Sequence, residues 1–276
     1  MADVWAADHQ DLGREVAIKV IKPELCEEPE SVERFLTEAR TVAKISHPYI
    51  VEVFDLGKLP DGRPFMVMPR LLGQSLEELR ERVGRLPLRE VVLLMDGVAQ
   101  AIDTLHQSDV IHRDIKPDNL FSSVADDGSE RVILIDFGLA RTLRGDKVTA
   151  ENTLLGTPHY MPPELVTSGW TKAGDVYSFA VVLCELYTGR LPFDYGTPME
   201  LMQRKMYNDA PLVSELATDR VPALVNELFR QSLSRNPDDR PKTCGDLLGA
   251  LRMLSHIRVT PLGVRHSVAP PHSKTG

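Results

Sequence analysis

The sequence is short of cysteine, of net positive charge and of long apolar runs, and each shortage closes off a class of protein. Three cysteines, Cys26, Cys184 and Cys244, are scattered over 276 residues. So few, so far apart and odd in number, they form neither a disulfide framework nor a zinc cluster, and they suit a reducing cytoplasm. Lysine and arginine number 32 against 40 acids, giving a formal net charge of -8, which argues against bulk nucleic-acid binding. The longest apolar stretch, around "YSFAVVLCELY", falls short of the roughly 18 residues a spanning helix needs. The amino terminus has acids and no apolar run behind a basic start, so no signal peptide is expected. There is no internal repeat. What is present is ordinary for a soluble globular protein: 42% hydrophobic and 26% charged residues, in a chain long enough for one large domain or two lobes.

Patterning changes along the chain. "EVAIKVI" alternates, with Val16, Ile18 and Val20 on one strand face and Ala17, Lys19 and Ile21 on the other. "DLG" before it is turn chemistry, and "DVWAA" reads as a partner strand in a hairpin. From Ser31 the period becomes helical, through Val32, Phe35, Leu36, Ala39, Val42 and Ala43, with Glu38 at the border of the apolar stripe. "HPYIVEVFDLG", "LPDG" and "RPFMVMPRL" read as strand, turn and strand. After Gly73 the chain turns mostly helical. Ser75 and Glu78 make a capping-box pattern, and Val91, Leu94, Met95, Val98, Ile102 and Leu105 mark one longer amphipathic helix. Val132 to Ile135 is a short buried strand. "DVYSFAVVLCELYTG" is an apolar helix ending at Gly189, and more helix follows near 221–234 and 244–255. Residues 256–276 lack periodicity and read as a flexible tail. A small strand-rich part therefore precedes a larger helical part.

Three strings carry chemistry. "VIHRDIKPDNLF" at 110–121 sets two acids, two bases and an amide between apolar anchors. Phosphoryl transfer needs such a set: a carboxylate to accept the attacking hydroxyl's proton, a lysine to steady the moving group, an amide oxygen for magnesium. "LIDFGLAR" follows, where a strand end presents Asp136 to a hard cation. "VAIK" taken alone most often means a strand lysine facing solvent. It gains weight because the three strings occur in this order.

Together these strings resemble the eukaryotic-like (Hanks-type) Ser/Thr protein kinases. "RFLTEARTVAKISHPYIV" and "GTPHYMPPE" are most similar to bacterial members, and the resemblance covers residues 1–255. It implies an α+β, two-lobed fold: a small antiparallel-sheet lobe over about 1–68 with one main helix, a hinge at 69–72, and a mostly helical lobe over 73–255. It implies Mg2+ and ATP as cofactors. Lys19 then matches the lysine contacting the α- and β-phosphates and Glu38 its ion-pair partner. Asp114 matches the catalytic base, Lys116 the phosphate-steadying lysine, and Asn119 and Asp136 the metal ligands. Val4, Ala17 and Phe121 would enclose the adenine, with Met68 as gatekeeper and Pro69, Arg70 and Leu71 along its edge. "IKPDN" favours Ser/Thr over Tyr substrates. Arg113 marks kinases controlled by phosphorylation of the loop from Asp136 to Glu164, where Thr153 is the first candidate site and Thr149 the second. Thr157 would assist Asp114 and Lys116 at the substrate loop. Glu164 with Arg240 matches a buried ion pair of the large lobe, and Asp175 a brace for the catalytic loop. The implied partners are protein substrates and, for trans-autophosphorylation, a second copy; neither nucleic acid nor a membrane segment is expected.

Two features depart from the family's pattern. "MPPE" has Pro162 where alanine or serine is usual. Of the glycine-rich loop G-x-G-x-x-G-x-V only the end is present: Met1 precedes the third glycine position, held by Ala2, and Val4 takes the valine's place. Loss of those phosphate-facing N–H groups implies weaker nucleotide binding than in a chain extended upstream. The reading this supports is an active Ser/Thr kinase whose start lies inside the loop. The alternative is a truncated kinase-like protein with weak or no activity, serving as a nucleotide- or protein-binding module. A small-molecule phosphotransferase would share the lobes but lack the "GTPHYMPPE" segment suited to docking a peptide.

Overall fold

The structure, a computed structural model, describes residues 2–10, 13–124, 128–136 and 158–255. The expected tail, and the loop threonines Thr149, Thr153 and Thr157, lie outside the described residues.

The small lobe is built on the expected hairpin. β1 (Ala2–His9) pairs antiparallel with β2 (Arg14–Ile21), placing Val4 opposite Lys19 and Ala6 opposite Ala17. Branched Val16, Ile18 and Val20 suit the pleated surface. A short α1 (Pro23–Cys26) leads into α2 (Pro29–Val42), which begins on Pro29, a residue preset for the first helical position. α2 buries Phe35, Ala39 and Val42, and Glu38 with them. β3 (Asp55–Lys58) and β4 (Pro64–Pro69) close the sheet in the order β1-β2-β4-β3. β3 is shorter than the apolar run before it suggests. Tyr49 and Val51 spend their backbone groups on Leu134 instead, through the Leu134 N–H to the Tyr49 carbonyl (2.9 Å) and the Val51 N–H to the Leu134 carbonyl (3.0 Å). These bonds stitch the small lobe to the large one.

β5 (Gly73–Ser75) runs into α3 (Leu76–Val83), where the capping box forms as its sequence requires. The Glu78 N–H donates to Ser75 Oγ at 3.1 Å, and the Ser75 N–H donates to Glu78 Oε2 at 2.8 Å. The amphipathic stretch expected as one helix is two, α4 (Leu88–Leu94) and α5 (Asp96–Gln107), parted at Met95. Gly97 lies just past the break. The Tyr49 ring lies where a side chain at residue 97 would stand, and the glycine that admits it is a weak helix former. β6 (Leu120–Val124) and β7 (Glu130–Leu134) pair with β5 into a second sheet ordered β5-β6-β7. Only β7 is expected from sequence, because three to five residues of β5 and β6 show too little period.

The rest is helical: α6 (Leu165–Ser168), α7 (Lys172–Thr188), α8 (Pro198–Tyr207), α9 (Val213–Leu216), α10 (Ala223–Ser232) and α11 (Cys244–Leu254). α7 is buried from Gly174 to Thr188, as a helix apolar all round must be, and it ends at Gly189 in the left-handed conformation (φ 74°). One continuous apolar core runs from Phe35 and Met66 in the small lobe to Leu134 and Phe179 in the large one. No described helix is long and apolar enough to cross a membrane.

Candidate active site

β-sheet register decides which small-lobe side chains meet. Val4 faces Lys19 across β1 and β2; Lys19 faces Met66, and Ala17 faces Met68, across β2 and β4. Directly opposed residues share a face, and so do residues two apart, so Val4, Ala17, Lys19 and Met68 lie on one side of the sheet. Met68 is buried and Val4 exposed. Pro69 ends β4, Arg70, Leu71 and Leu72 connect it to β5, and Arg70 is tied back to Glu15 by an exposed ion pair of 2.6 Å. Phe121 sits on β6, paired with Ile133, and is partly buried.

Lys19 is the meeting point of the two lobes. Its Nζ donates to Glu38 Oε1 at 3.2 Å and to Asp136 Oδ1 at 2.6 Å. Glu38 comes from α2, and Asp136 from the chain just past β7. Burial alone would lower the Lys19 pKa, but the Asp136 and Glu38 carboxylates outweigh it and hold the ammonium above the usual lysine range. Glu38 is buried, whereas the Asp136 side chain is 46% exposed, so one partner is fixed and the other open to a ligand.

The loop from His112 to Asn119 is held by a buried acid. Asp175, at the start of α7, is fully buried and accepts from the His112 N–H (2.8 Å), the Arg113 N–H (2.9 Å) and His106 Nε2 (2.8 Å). Two successive N–H groups caught by one carboxylate turn the chain sharply, and Arg113 accordingly has φ 70°. Asp136 is likewise left-handed, at φ 49°. Such conformations cost energy and persist where the surroundings over-determine them.

Past this turn the chemistry converges. Lys116 Nζ lies 3.2 Å from Asp114 Oδ2. Asn119 Nδ2 donates to both the Asp114 carbonyl (2.8 Å) and Asp114 Oδ2 (2.9 Å). The Ile135 N–H donates to the Asn119 carbonyl at 2.9 Å, which sets Asp136 beside this loop. Asn119 has committed its amide N–H2 to Asp114, leaving its amide oxygen as an oriented acceptor. An amide oxygen and a half-open carboxylate are hard donors that fit Mg2+, which takes one or two protein ligands and completes its shell from phosphates and water.

Glu164 and Arg240 form a bidentate pair, both contacts at 2.7 Å, and Arg240 also donates to the carbonyls of Ser234 and Ala173 at 2.9 Å. Its guanidinium lies 4.9 Å from the centre of the Tyr177 ring. Sequence reasoning did not find His106, Glu185 or Lys205. Glu185 accepts from the Tyr160 hydroxyl at 2.6 Å and lies 3.4 Å from Arg80. Each of the three sits in a helix whose string carries no local chemistry. Burial of Lys205 was signalled only by its spacing from Leu201 and Met202 on α8.

Residues 1–253 match the family described as protein kinase domain. The serine/threonine-protein kinase PrkC of Bacillus subtilis is 33% identical over 248 residues, covering 90% of this chain and 37% of the relative. The serine/threonine-protein kinase PknA of Mycobacterium tuberculosis is 33% identical over 276 residues, covering 98% of this chain and 62% of that protein. This chain therefore spans 37% and 62% of the length of these two relatives. Among solved structures, the PknI kinase domain of Mycobacterium tuberculosis superposes with a TM-score of 0.70 at 26% identity, over 92% of this chain and 91% of that one.

Proposed function

Because the chain belongs to the protein kinase domain family, we propose that it transfers the γ-phosphate of ATP, with Mg2+, to serine or threonine hydroxyls of proteins. The observation that carries this reading is the convergence of Lys19, held by Glu38 and Asp136, with the Asp114, Lys116 and Asn119 cluster across one short β7 connection.

Each residue has a task set by its surroundings. Asp114 would accept the proton of the attacking hydroxyl, with its carboxylate aimed by Asn119 and Lys116. Lys116 would also balance negative charge building on the transferred group. Lys19, already carrying its charge toward the half-open Asp136, would contact the α- and β-phosphates, while buried Glu38 keeps its ammonium in line. Asn119 and Asp136 would hold Mg2+, which when bound neutralises phosphate charge. Val4, Ala17, Met68 and Phe121 would enclose the adenine, and the backbone of 69–71 would meet its edge. Thr153 or Thr149 would be the target of autophosphorylation between two copies, and Thr157 would support Asp114 and Lys116. Three free thiols suit a reducing compartment, so the proposal sets this reaction in the cytoplasm.

The test is transfer of radiolabel from γ-labelled ATP to the chain itself and to a generic protein substrate. Label should appear on serine and threonine, and Asp114→Asn should cut the rate by about 10³-fold. A protein that binds Mg·ATP while no label reaches any protein would sink the kinase reading.

A further inference from the structure

The inward face of α8 ends in a charge. Leu201 and Met202 are 1% exposed, and so is Lys205. Lys205 Nζ donates to the main-chain carbonyls of Pro158 and Met161, both at 2.8 Å, and to that of His159. Ser178 Oγ on α7 donates to the intervening Tyr160 carbonyl at 2.8 Å. Four consecutive carbonyls are thus taken by side chains from two helices. The Tyr160 ring is pinned as well, by its hydroxyl bond to Glu185.

An ammonium has three donors and no acceptor, and three carbonyls match that count. Simple packing does not require a lysine here. Its stem fills the same space as a methionine, and burial pushes its ammonium well below the usual lysine range. The three carbonyls, with the Tyr177 ring 5.4 Å away, offset that cost. An apolar side chain would leave them without this donor, that of Met161 buried and those of Pro158 and His159 part-buried.

We infer that Lys205 is a positioning residue for the protein substrate: by clasping the carbonyls of Pro158, His159 and Met161 it fixes the segment against which a peptide docks. The inference rests on the kinase reading above and deepens it. The clasp acts on Pro158–Met161, whereas Lys19, Asp114, Asn119 and Asp136 belong to other elements. Its loss should therefore weaken use of the peptide and spare use of ATP.

The experiment compares wild-type chain with Lys205→Met in steady-state phosphorylation of a serine peptide, with ATP and peptide varied separately. The KM for peptide should rise about ten-fold, while the KM for ATP and the peptide-free ATP hydrolysis stay within two-fold. Lys205→Arg, which keeps a cationic donor, should recover part of the loss. A folded Lys205→Met protein with unchanged peptide KM, or with both KM values raised alike, overturns the inference and leaves the kinase reading standing. If Lys205→Met does not fold, Ser178→Ala carries the test, because it removes the donor to the Tyr160 carbonyl and otherwise only a contact with the Gly174 carbonyl of its own helix. Its peptide KM should rise about three-fold at constant ATP KM, and no change overturns the inference. A wild-type chain that transfers no phosphate to any protein or peptide overturns the kinase reading, and the inference with it.

Discussion

Each lobe buries a lysine, and the two are held in opposite ways. Lys19 in the small lobe faces two carboxylates, which hold its pKa up against burial. Lys205 in the large lobe faces neutral carbonyls and, 5.4 Å away, the Tyr177 ring, and burial drives its pKa down. The difference separates two uses of a buried cation. One whose partners are carboxylates, one of them half-exposed, can exchange that partner for a phosphate without changing the kind of bond it makes. One whose partners are backbone carbonyls fixes the path of the chain. Arg240 falls with the second kind, although its partner is an acid: Glu164 is buried, both oxygens are engaged, and the carbonyls of Ser234, Ala173 and Arg235 complete the shell.

The comparison is strained hardest by removing the first cation. Lys19→Met should lower phosphoryl transfer by about 10³-fold, near 4 kcal/mol of transition-state stabilisation. Cooperative unfolding in urea should survive, because Asp136 is open to water and only Glu38 is left buried. A variant that keeps a tenth or more of wild-type activity, or loses its unfolding transition, would put Lys19 with the structural cations.

A smaller effect, and one of opposite sign for the two lysines, should appear in alkali. Lys19 binds its proton more tightly folded than unfolded. Its contribution is complete below the unfolded value near 10.5 and is lost as pH rises through the higher folded value. Lys205 binds its proton more weakly when folded. The cost of its burial weighs on the fold at low pH and is relieved as pH rises from its lowered folded value toward 10.5. Its titrating neighbours do not distinguish wild type from the Lys205 variant there, since His159 titrates below this window and Tyr177 lowers the stability of both alike as pH nears 10. Burial, and Lys205 itself, keep His159 below its ordinary value, while burial pushes the Tyr177 hydroxyl up. Urea midpoints between pH 7 and about 10.5 should show wild type gaining on Lys205→Met while its margin over Lys19→Met stays level. Parallel slopes would mean that the two lysines share one electrostatic setting.

How visible each lysine is in the sequence follows from where its partners lie. Asp114, Lys116 and Asn119 fall within one string, and their spacing already brings an acid, a base and an amide together. Lys19 and Glu38 belong to a strand and a helix with clear periods, so their faces could be read, although Asp136 lies 117 residues from Lys19. The border position expected for Glu38 understates its burial. Lys205 meets carbonyls 44 to 47 residues away, and carbonyls leave no trace in side-chain chemistry. The α8 string "MELMQRKMYN" shows no wholly apolar face, because the face of Leu201 and Met202 also carries Lys205. The Tyr49 ring packed on Gly97 is another distant contact that no local pattern announces. Periodicity reports what an element buries, and it does not report which distant backbone that element serves.

A third lysine supplies the control with the smallest expected effect. Lys172 lies 2.7 Å from Asp109, close to the 2.6 Å of Lys19 and Asp136, but its side chain is 45% exposed and that of Asp109 is 91% exposed. Asp109 has its pKa lowered by its hydrogen bond and charge contact with Lys172. Water and salt screen such a pair, and holding two mobile side chains together costs most of what their attraction supplies. Lys172→Ala should therefore leave both the urea midpoint and the phosphorylation rate unchanged within error, at low and at high salt. A loss approaching that of Lys19→Met would mean that distance alone, rather than burial and the nature of the partner, sets what a lysine does in this fold.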